Sequence, residues 1–436
     1  MKDVNRGTHR ILILGGGFGG ITAALRLEKI FAGEENVQIT LLNRDNYLLF
    51  TPMLPEVAGS GIEAKHIIAP IRAFFKKARF RDGEVTSIDL HNRVVAARHC
   101  PKCVGYSYEF DHLVLALGSV TSPMGLAWVK EHAFSFKTLA DAMTLRNHVI
   151  DVLEHADMEP DQEMRRKMLT IVVVGAGLAG VEPIAELNDF LRRAKRFYPS
   201  IRPEDVTLML VERGTRIMPG IAEDLAAYAQ KCLVKSGIEV RLQTSIINAT
   251  DEGADLEDGA HIPTKTLVWT AGVGPNPLLA ELPCLKEKGR VVADENLELP
   301  DYPGVWAVGD SAYAHDPKTG RPYPPTAQYA VKQGKMAAEN IAAAINGRPG
   351  KPFVFSSIGQ FVPLGRRTAI AEISGFKFRG FLAWWLWRTI YLNKLPKLER
   401  KIRVALDWTL DLFFPRDIVL LKTMLKNNKK ETDKQS

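Results

Sequence analysis

The chain has 436 residues, 46% of them hydrophobic, and a mean hydropathy of −0.08, enough for two or three globular domains with sizeable cores. Its longest uncharged run, 112–129, is broken by Gly118, Pro123 and Gly125, which excludes a spanning helix of about 18 apolar residues. Four cysteines exclude a disulfide scaffold, and the net charge of +7 is concentrated: from Arg388 to Lys430 eleven Lys and Arg face four acids.

The first apolar stretch, ILILGGG from Ile11, runs straight into a glycine motif rather than a cleavage site, so the protein is expected in the cytosol or on its membrane face. The stretch ILILGGGFGGITAAL reads as a buried strand, a G-x-G-x-x-G turn (Gly15, Gly17, Gly20) and a helix. In such a unit the first glycine permits the turn, the second admits a pyrophosphate and the third lets helix pack on strand, with the anion at the helix N-terminus. The next strand, VQITLLNRD, ends on Asn43, where an acid would normally bind ribose hydroxyls. Asn43 can hydrogen-bond a hydroxyl or serve as a turn residue, and Asp45 is a fallback two residues late. CPKC, Cys100 and Cys103, lies in a predicted hairpin and reads as a zinc half-site, a redox pair or an incidental loop; no metal site is expected, because Cys232 and Cys284 are isolated. FDHLVLALGS then delivers Gly118 at a strand end.

At Ile171 the first device recurs as IVVVGAGLAGVEPIA, with Gly175, Gly177 and Gly180. One such motif is weak evidence, whereas two in matched strand-turn-helix context are strong. Here VTLMLVERG supplies the acid, Glu212, which favours NAD over NADP, although Arg213 and Arg216 lie close by. Pro183, inside the second motif's helix, is expected to bend it. LVWTAGVGPNP ends a strand near Gly272, and VWAVGDSA ends one at Gly309 and Asp310, a place for a carboxylate to hold a flavin's ribityl chain. Two dinucleotide sites predict a permanently held flavin and an exchanging nicotinamide. The fold class is therefore α/β: two Rossmann-like dinucleotide-binding domains, the second inserted in the first, with a C-terminal amphipathic membrane-associating segment. The boundaries read 8–125 and 286–355 for a FAD-binding domain, 126–285 for an NADH-binding domain with its Rossmann core from about 168, 356–426 for the membrane-associating region and 427–436 for a disordered tail.

FLAWWLWRTIYL, 381–392, is too short to span a membrane before Arg388 interrupts it. Beyond it, Leu398, Ile402, Ala405, Leu406, Thr409, Leu412 and Phe413 share one helical face, with Lys397, Arg400, Lys401, Asp407 and Asp411 largely elsewhere. This pattern suits an anionic lipid surface, the protein's own core or a homodimer contact. The cations interleave an apolar pattern rather than lining a groove with stacking platforms, so no nucleic acid is expected.

The ordered set of the first glycine turn, FTPMLPEVAGSG, LALGS, VGAGLAGVE, WTAGVGPNP, VWAVGDSA, PPTAQYAVKQG and a basic aromatic C-terminus resembles the type II NADH:quinone oxidoreductases. The resemblance runs from about Ile11 to about Arg416. It implies non-covalent FAD, NADH as substrate, a membrane quinone as acceptor without proton pumping, and a peripheral homodimer on the cytoplasmic face of a bacterial inner membrane. It implies FAD contacts at Gly15, Gly17, Phe18, Gly20, Asn43, Arg44, Pro52, Gly118, Gly309, Asp310, Ala327 and Gln328. NADH contacts fall on Gly175, Gly177, Gly180, Glu182, Glu212 and Gly272. Glu182 matches a carboxylate beside nicotinamide and flavin, or is simply a helix N-terminal acid. Ala327, Gln328 and Ala330 match the quinone-side A-Q-x-A-x-Q, but its final Gln is Lys332, with Gln333 one step later; Lys332 either meets a quinone carbonyl or faces solvent. Lys377 matches a lysine near the flavin. The alternatives are a sulfide:quinone reductase, whose flavin-flanking cysteines do not match CPKC, or another NAD(P)H-dependent flavoprotein reductase of the same fold. A disulfide reductase is excluded because no cysteine lies between Gly20 and Tyr47.

Overall fold

The computed structural model describes residues 8–99 and 103–421; Cys100 and the expected disordered tail lie outside the described residues. In chain order the elements that matter here begin with β1 (His9–Leu14), α1 (Phe18–Ile30), β2 (Val37–Asn43), α2 (Leu54–Ala58), β3 (Arg79–Asp82) and β4 (His112–Leu115). There follow β5 (Phe134–Ser135), α3 (Leu139–Met158), β6 (Thr170–Val174), α4 (Leu178–Ala194), β7 (Thr207–Val211), α5 (Glu223–Lys235), β8 (Ile238–Arg241) and β9 (Thr266–Trp269). The chain continues through β10 (Val305–Ala307), α6 (Ala327–Ile345), a hairpin sheet β11 (Gly359–Pro363), β12 (Ala369–Ile373) and β13 (Phe376–Arg379), then α7 (Gly380–Lys394) and α8 (Leu398–Phe413).

Two compact units result. The first comprises the chain up to Leu49, Ala69–Val120 and Gly274–Ser357; the second comprises Phe50–Ile68, Thr121–Val273 and the chain from Ile358. The first unit's parallel sheet has the order β10-β4-β1-β2-β3, with Ile11 facing Ile39 and His112 on either side. Ile11, Leu12, Ile13 and Leu14 are all buried, the continuous apolar run that a strand covered on both faces requires. Helices α1 and α6 cross where Gly334 meets the backbone of Gly19; a β-carbon at 334 would overlap the Gly19 carbonyl oxygen.

The second unit repeats the plan, with parallel strands in the order β5-β9-β6-β7-β8. In both units the central strand, β1 or β6, feeds a glycine turn and then a helix. The strand that completes the first sheet, β10, comes after the whole second sheet in sequence, which is the insertion expected from the motif order.

Within the second unit, α7 and α8 pack on one another. Trp387 and Trp408 are buried with their ring centres 5.9 Å apart and their planes tilted by 42°, and the Tyr391 ring lies 5.7 Å from that of Trp387. The three tryptophans of 381–392 therefore separate: Trp387 is core, Trp385 is exposed, and Trp384 lies under the Arg388 guanidinium at 4.1 Å. No described helix is long and apolar enough to cross a membrane.

Because the α1–α6 crossing tolerates no side chain at 334, Gly334→Ala is expected to lower stability by about 1–3 kcal/mol, measured by urea unfolding.

Candidate functional site

In the first unit, Gly15 has φ +110° and a β-carbon there would overlap the Ala116 carbonyl, so only glycine fits the turn. Gly17 is different: nothing lies within 4 Å of where its β-carbon would be. It is the N-cap of α1 and supplies no side-chain cap, which leaves first-turn N–H groups open to an anion. Gly20 packs against the Gly15 carbonyl, and Phe18 is half-buried at the helix start. Asn43 at the end of β2 accepts from the Gly16 N–H at 2.7 Å and donates to the Asp45 carbonyl at 2.7 Å. A carboxylate could not make the second bond, which is a physical reason for Asn at this position. One lone pair and one N–H remain for a hydroxyl. Arg44 is exposed and pairs with Asp45 at 3.2 Å.

The ends of β4 and β10 meet the same edge. Gly118, φ +70°, donates to the Ser311 hydroxyl at 3.2 Å, the Ser119 hydroxyl donates to Asp310, and the Gly309 N–H donates to Gln333 at 2.7 Å. Ala327 and Gln328 open α6, whose N-cap Thr326 supplies no side-chain cap; Gln328 accepts from the Ser357 hydroxyl at 3.2 Å. One helix position decides between the two glutamine-motif residues. Gln333 is buried and holds the Gly309 loop, whereas Lys332 is exposed, its ammonium 5.6 Å from the Phe355 ring centre.

The second unit builds the same cradle. Gly175 has φ +98° with a virtual β-carbon 2.7 Å from Ala271 Cα, Gly177 faces open space, and Gly180 packs on the Gly175 carbonyl. Glu212 accepts from the Ala176 N–H at 2.7 Å, as Asn43 does from Gly16, and its other oxygen accepts from the Gly214 N–H at 2.7 Å. Gly272 follows β9, with the Ser122 carbonyl 2.6 Å from where a side chain would begin. Arg216 donates to the Ile221 and Pro219 carbonyls at 3.2 and 2.6 Å, so it closes its own loop. Arg213 is exposed.

Helix α4 carries a row of acids, Glu182, Glu186 and Asp189, at spacings of four and three that place them on one face. Pro183 sits inside this helix without ending it, and α4 continues to Ala194. Arg416, beyond α8 and almost wholly buried, reaches Glu186 at 3.1 Å, Asp189 at 3.3 Å, Asp411 at 3.1 Å and the Gly59 carbonyl at 2.8 Å. Burial opposes its charge, but Glu186, Asp411 and Asp189 outweigh that and hold the guanidinium protonated more firmly than usual. Arg193 adds bonds to Asp189 at 3.2 Å and Asp411 at 2.8 Å. On α2, Glu56 accepts from the Trp408 indole N–H at 2.8 Å, and its second oxygen is buried without a partner.

Desolvation pushes Glu56 up to about 8, with Glu186 adding to it and Arg388 and Trp408 opposing. Desolvation, then Glu186 and Glu56, push Glu182 up to about 8. Burial likewise raises Tyr391, with Glu182 adding to that effect. Pro52 lies in a short 3-10 turn, Thr51–Met53, just before α2. Lys377 on β13 is ion-paired to Asp224 at the start of α5 at 2.6 Å, and Arg379 takes the other oxygen of that carboxylate. Glu56, Arg388 and Arg416 were not among the residues expected from sequence. Their signal was a charge set within an apolar run, as in LPEVA and WLWRTI.

Residues 9–334 match the family model described as pyridine nucleotide-disulphide oxidoreductase, and residues 358–417 match the NDH2 C-terminal domain. The chain is 31% identical over 421 residues to a probable NADH dehydrogenase of Dictyostelium discoideum, covering 94% of this chain and 91% of that protein. It is also 31% identical over 426 residues to the type II NADH:quinone oxidoreductase Ndh of Mycobacterium tuberculosis, covering 94% and 89%. The chain belongs to the type II NADH:quinone oxidoreductase family. Its fold is shared with the solved structure of NDH2 from Plasmodium falciparum in complex with NADH, at a TM-score of 0.88, 18% identity and coverage of 94% of this chain and 100% of that one. The sulfide:quinone oxidoreductase of Aquifex aeolicus, at a TM-score of 0.71 and 17% identity over 94% of this chain and 96% of that one, shares the fold alone. The segment of this chain that matches the C-terminal domain thus carries Arg416, which pairs with Glu186 and Asp189 of the acid row.

Arg416→Ala leaves buried carboxylates uncompensated and is expected to cost about 3–5 kcal/mol in denaturant unfolding, with Arg416→Lys recovering part. Glu56 and Glu182 bind protons more tightly folded than unfolded, so the stability of their neutral forms is complete below the usual 4.5 and is lost as pH rises through about 8. The melting temperature is expected to fall between pH 6 and pH 9, and Glu56→Gln, which cannot ionise, should narrow that fall by calorimetry.

Proposed function

We propose that this chain oxidises NADH, passing a hydride to non-covalently bound FAD and two electrons onward to a membrane quinone, without pumping protons. The observation that carries the reading is the repeated cradle. Asn43 on the Gly16 N–H and Glu212 on the Ala176 N–H are the same construction built twice, each beside an uncapped helix N-terminus. FAD, when bound, takes electrons as hydride and releases them singly or in pairs, the property needed between a nicotinamide and a quinone.

The first unit's residues suit the flavin nucleotide. Gly15, Gly17, Phe18 and Gly20 would hold its pyrophosphate, Asn43 and Arg44 its ribose, and Gly309 and Asp310 its ribityl chain. Gly118, Ala327 and Gln328 would flank its ring system. The open space over Gly17 and the uncapped N-terminus of α6 support this, since both offer N–H groups to an electron-rich ligand. Gly175, Gly177, Gly180 and Gly272 would hold NADH, with Glu212 on the adenosine ribose. Arg216 is committed to its own loop, so the carboxylate of Glu212 is left to repel a 2′-phosphate. Glu182, desolvated into its neutral form, would hold a proton near the reacting centre.

The C-terminal helices support a lipid-facing acceptor site. On α8 the apolar side chains Leu398, Ile402, Leu406, Leu410 and Phe413 point outward, with Ile402 52% and Phe413 77% exposed. Asp407 and Asp411 instead turn inward to His66 and to Arg193 and Arg416. A helix of this polarity is stable in water only if something apolar covers its outer face. Phe381, Leu382 and Trp385 on α7 extend that face, and Lys397, Arg400 and Lys401 sit near the helix start for anionic headgroups. The assigned location is the cytoplasmic face of a bacterial inner membrane. A homodimer would use part of the same face.

Purified protein is expected to be yellow and to reduce a short-chain quinone with NADH, at a kcat/KM at least about tenfold above that with NADPH, a difference of ~1.4 kcal/mol. Quinone reduction by sulfide but not NADH would overturn the assignment. Replacing both Ile402 and Leu406 by Glu is expected to weaken binding to anionic vesicles by at least about tenfold in flotation, since each aliphatic side chain contributes roughly 1.5–3 kcal/mol when buried.

A further inference from the structure

Three buried polar atoms on the wall of one cavity of the second unit lack a hydrogen-bond partner among the described residues: Oε2 of Glu56, Nε of Arg388 and Oδ2 of Asp189, the last ion-paired to Arg193 and Arg416. The cavity is about 10 Å³, room for roughly one water molecule. Its walls include Glu186 and Arg416 on one side and the exposed Arg366 and Arg367 on the other. A carboxyl oxygen and a guanidinium N–H that each lack a partner are costly in a dry interior, and one bridging water would satisfy both. Arg388 cannot swing away, because its guanidinium is held between the rings of Trp384 at 4.1 Å and Trp408 at 4.6 Å.

We propose that Glu56 is a proton store for the quinone reaction, joined by one water to Arg388 and returning a proton to Glu182 along the acid row. The inference rests on the assignment of NADH:quinone oxidoreductase activity. The overall reaction is NADH + H⁺ + quinone → NAD⁺ + quinol. The nicotinamide C–H bond that breaks supplies two electrons and one hydrogen; the second hydrogen is a proton from water. As that proton leaves Glu182 to form a quinol O–H, the Glu56 O–H breaks and the Glu182 O–H reforms, and Glu56 recovers its proton through the cavity water. Glu56 thus acts through Glu182 rather than on substrate.

The surroundings of Glu56 fit this part. From α4 it is faced by Glu182 and Glu186, from α7 by Arg388, from α8 by the Trp408 N–H, and from beyond α8 by Arg416. From α3, Arg146 is directed to the Ser60 hydroxyl at 2.7 Å and to Asp417 at 3.3 Å. Of the two acids with an orphan oxygen on the cavity, Asp189 is held by the ion pairs to Arg193 and Arg416, whereas among the described residues Oε2 of Glu56 has no partner. Burial supports its neutral form around neutral pH.

The test uses the full-length, flavin-loaded protein on anionic vesicles. For Glu56→Gln, kcat for quinone reduction is expected to fall about tenfold at pH 7, with KM for NADH unchanged and the alkaline limb of the pH profile lost. Glu56→Asp should restore part of the rate. Flavin bleaching by NADH without quinone should keep the parent's rate. An unchanged pH profile, or bleaching slowed as much as turnover, overturns the proposal. A parent protein that reduces no quinone with NADH instead overturns the functional assignment. Infrared spectra without substrate provide a readout independent of turnover. At pH 7, a protonated-carboxyl band should persist in Glu182→Gln, shift in D₂O and disappear as pH passes about 8; its absence also overturns the proposal.

Discussion

The second unit depends on one buried cation. The guanidinium of Arg416 binds Glu186, Asp189 and Asp411 and the Gly59 carbonyl, so it joins α4, α8 and the turn after α2 in a single contact set. Acids so deeply buried would otherwise be neutralised or drive the structure apart. With the arginine in place, α4 can carry acids on the face that packs against the C-terminal segment. Glu186 and Asp189 have a cationic partner, whereas Glu182, pushed up by burial and by Glu186 and Glu56, takes up a proton more readily than usual. The same ion that holds the C-terminal helices down thus defines where neutral carboxyl groups stand.

This arrangement also inverts α8. In a water-facing helix the apolar stripe packs inward and the charges face solvent. Here the inward positions are taken by Val404 and Trp408 with Asp407 and Asp411, each acid matched by a basic partner, and the remaining aliphatic residues face outward. Charge pairing inside and apolar exposure outside are two sides of one sequence choice. A lipid surface, where an apolar face gains rather than loses free energy, reconciles them. The same unit carries the acid row.

The parts legible in the sequence were those governed by local rules. Strand, glycine turn and helix follow one another within about 20 residues, so both cradles and their order in the chain could be read directly. The position of Asn43 was legible too, but its second bond, to the Asp45 carbonyl, was not, because a turn's exact backbone direction is not encoded in spacing. The periodicity of α8 identified its apolar face without saying which face would be covered. That depends on Trp408 meeting Glu56, 352 residues away, and on Asp407 meeting His66. For the same reason Arg388 looked only like a break in an apolar run and Arg416 like one more basic residue; each acquires its part from acids distant in sequence. Lys332 and Gln333 differ by one step of helix, about 100°, and only the packing of α6 on the Gly309 loop decides which points inward.

The most direct measurement of the central claim is fluorescence quenching by brominated phospholipids in single-tryptophan versions of the membrane-bound enzyme. If the outward face of α7 and α8 is the lipid contact, Trp385 should be strongly quenched and Trp408, buried against Glu56, should not. Equal quenching at the two positions, or none at Trp385 while the enzyme remains bound, would contradict the account.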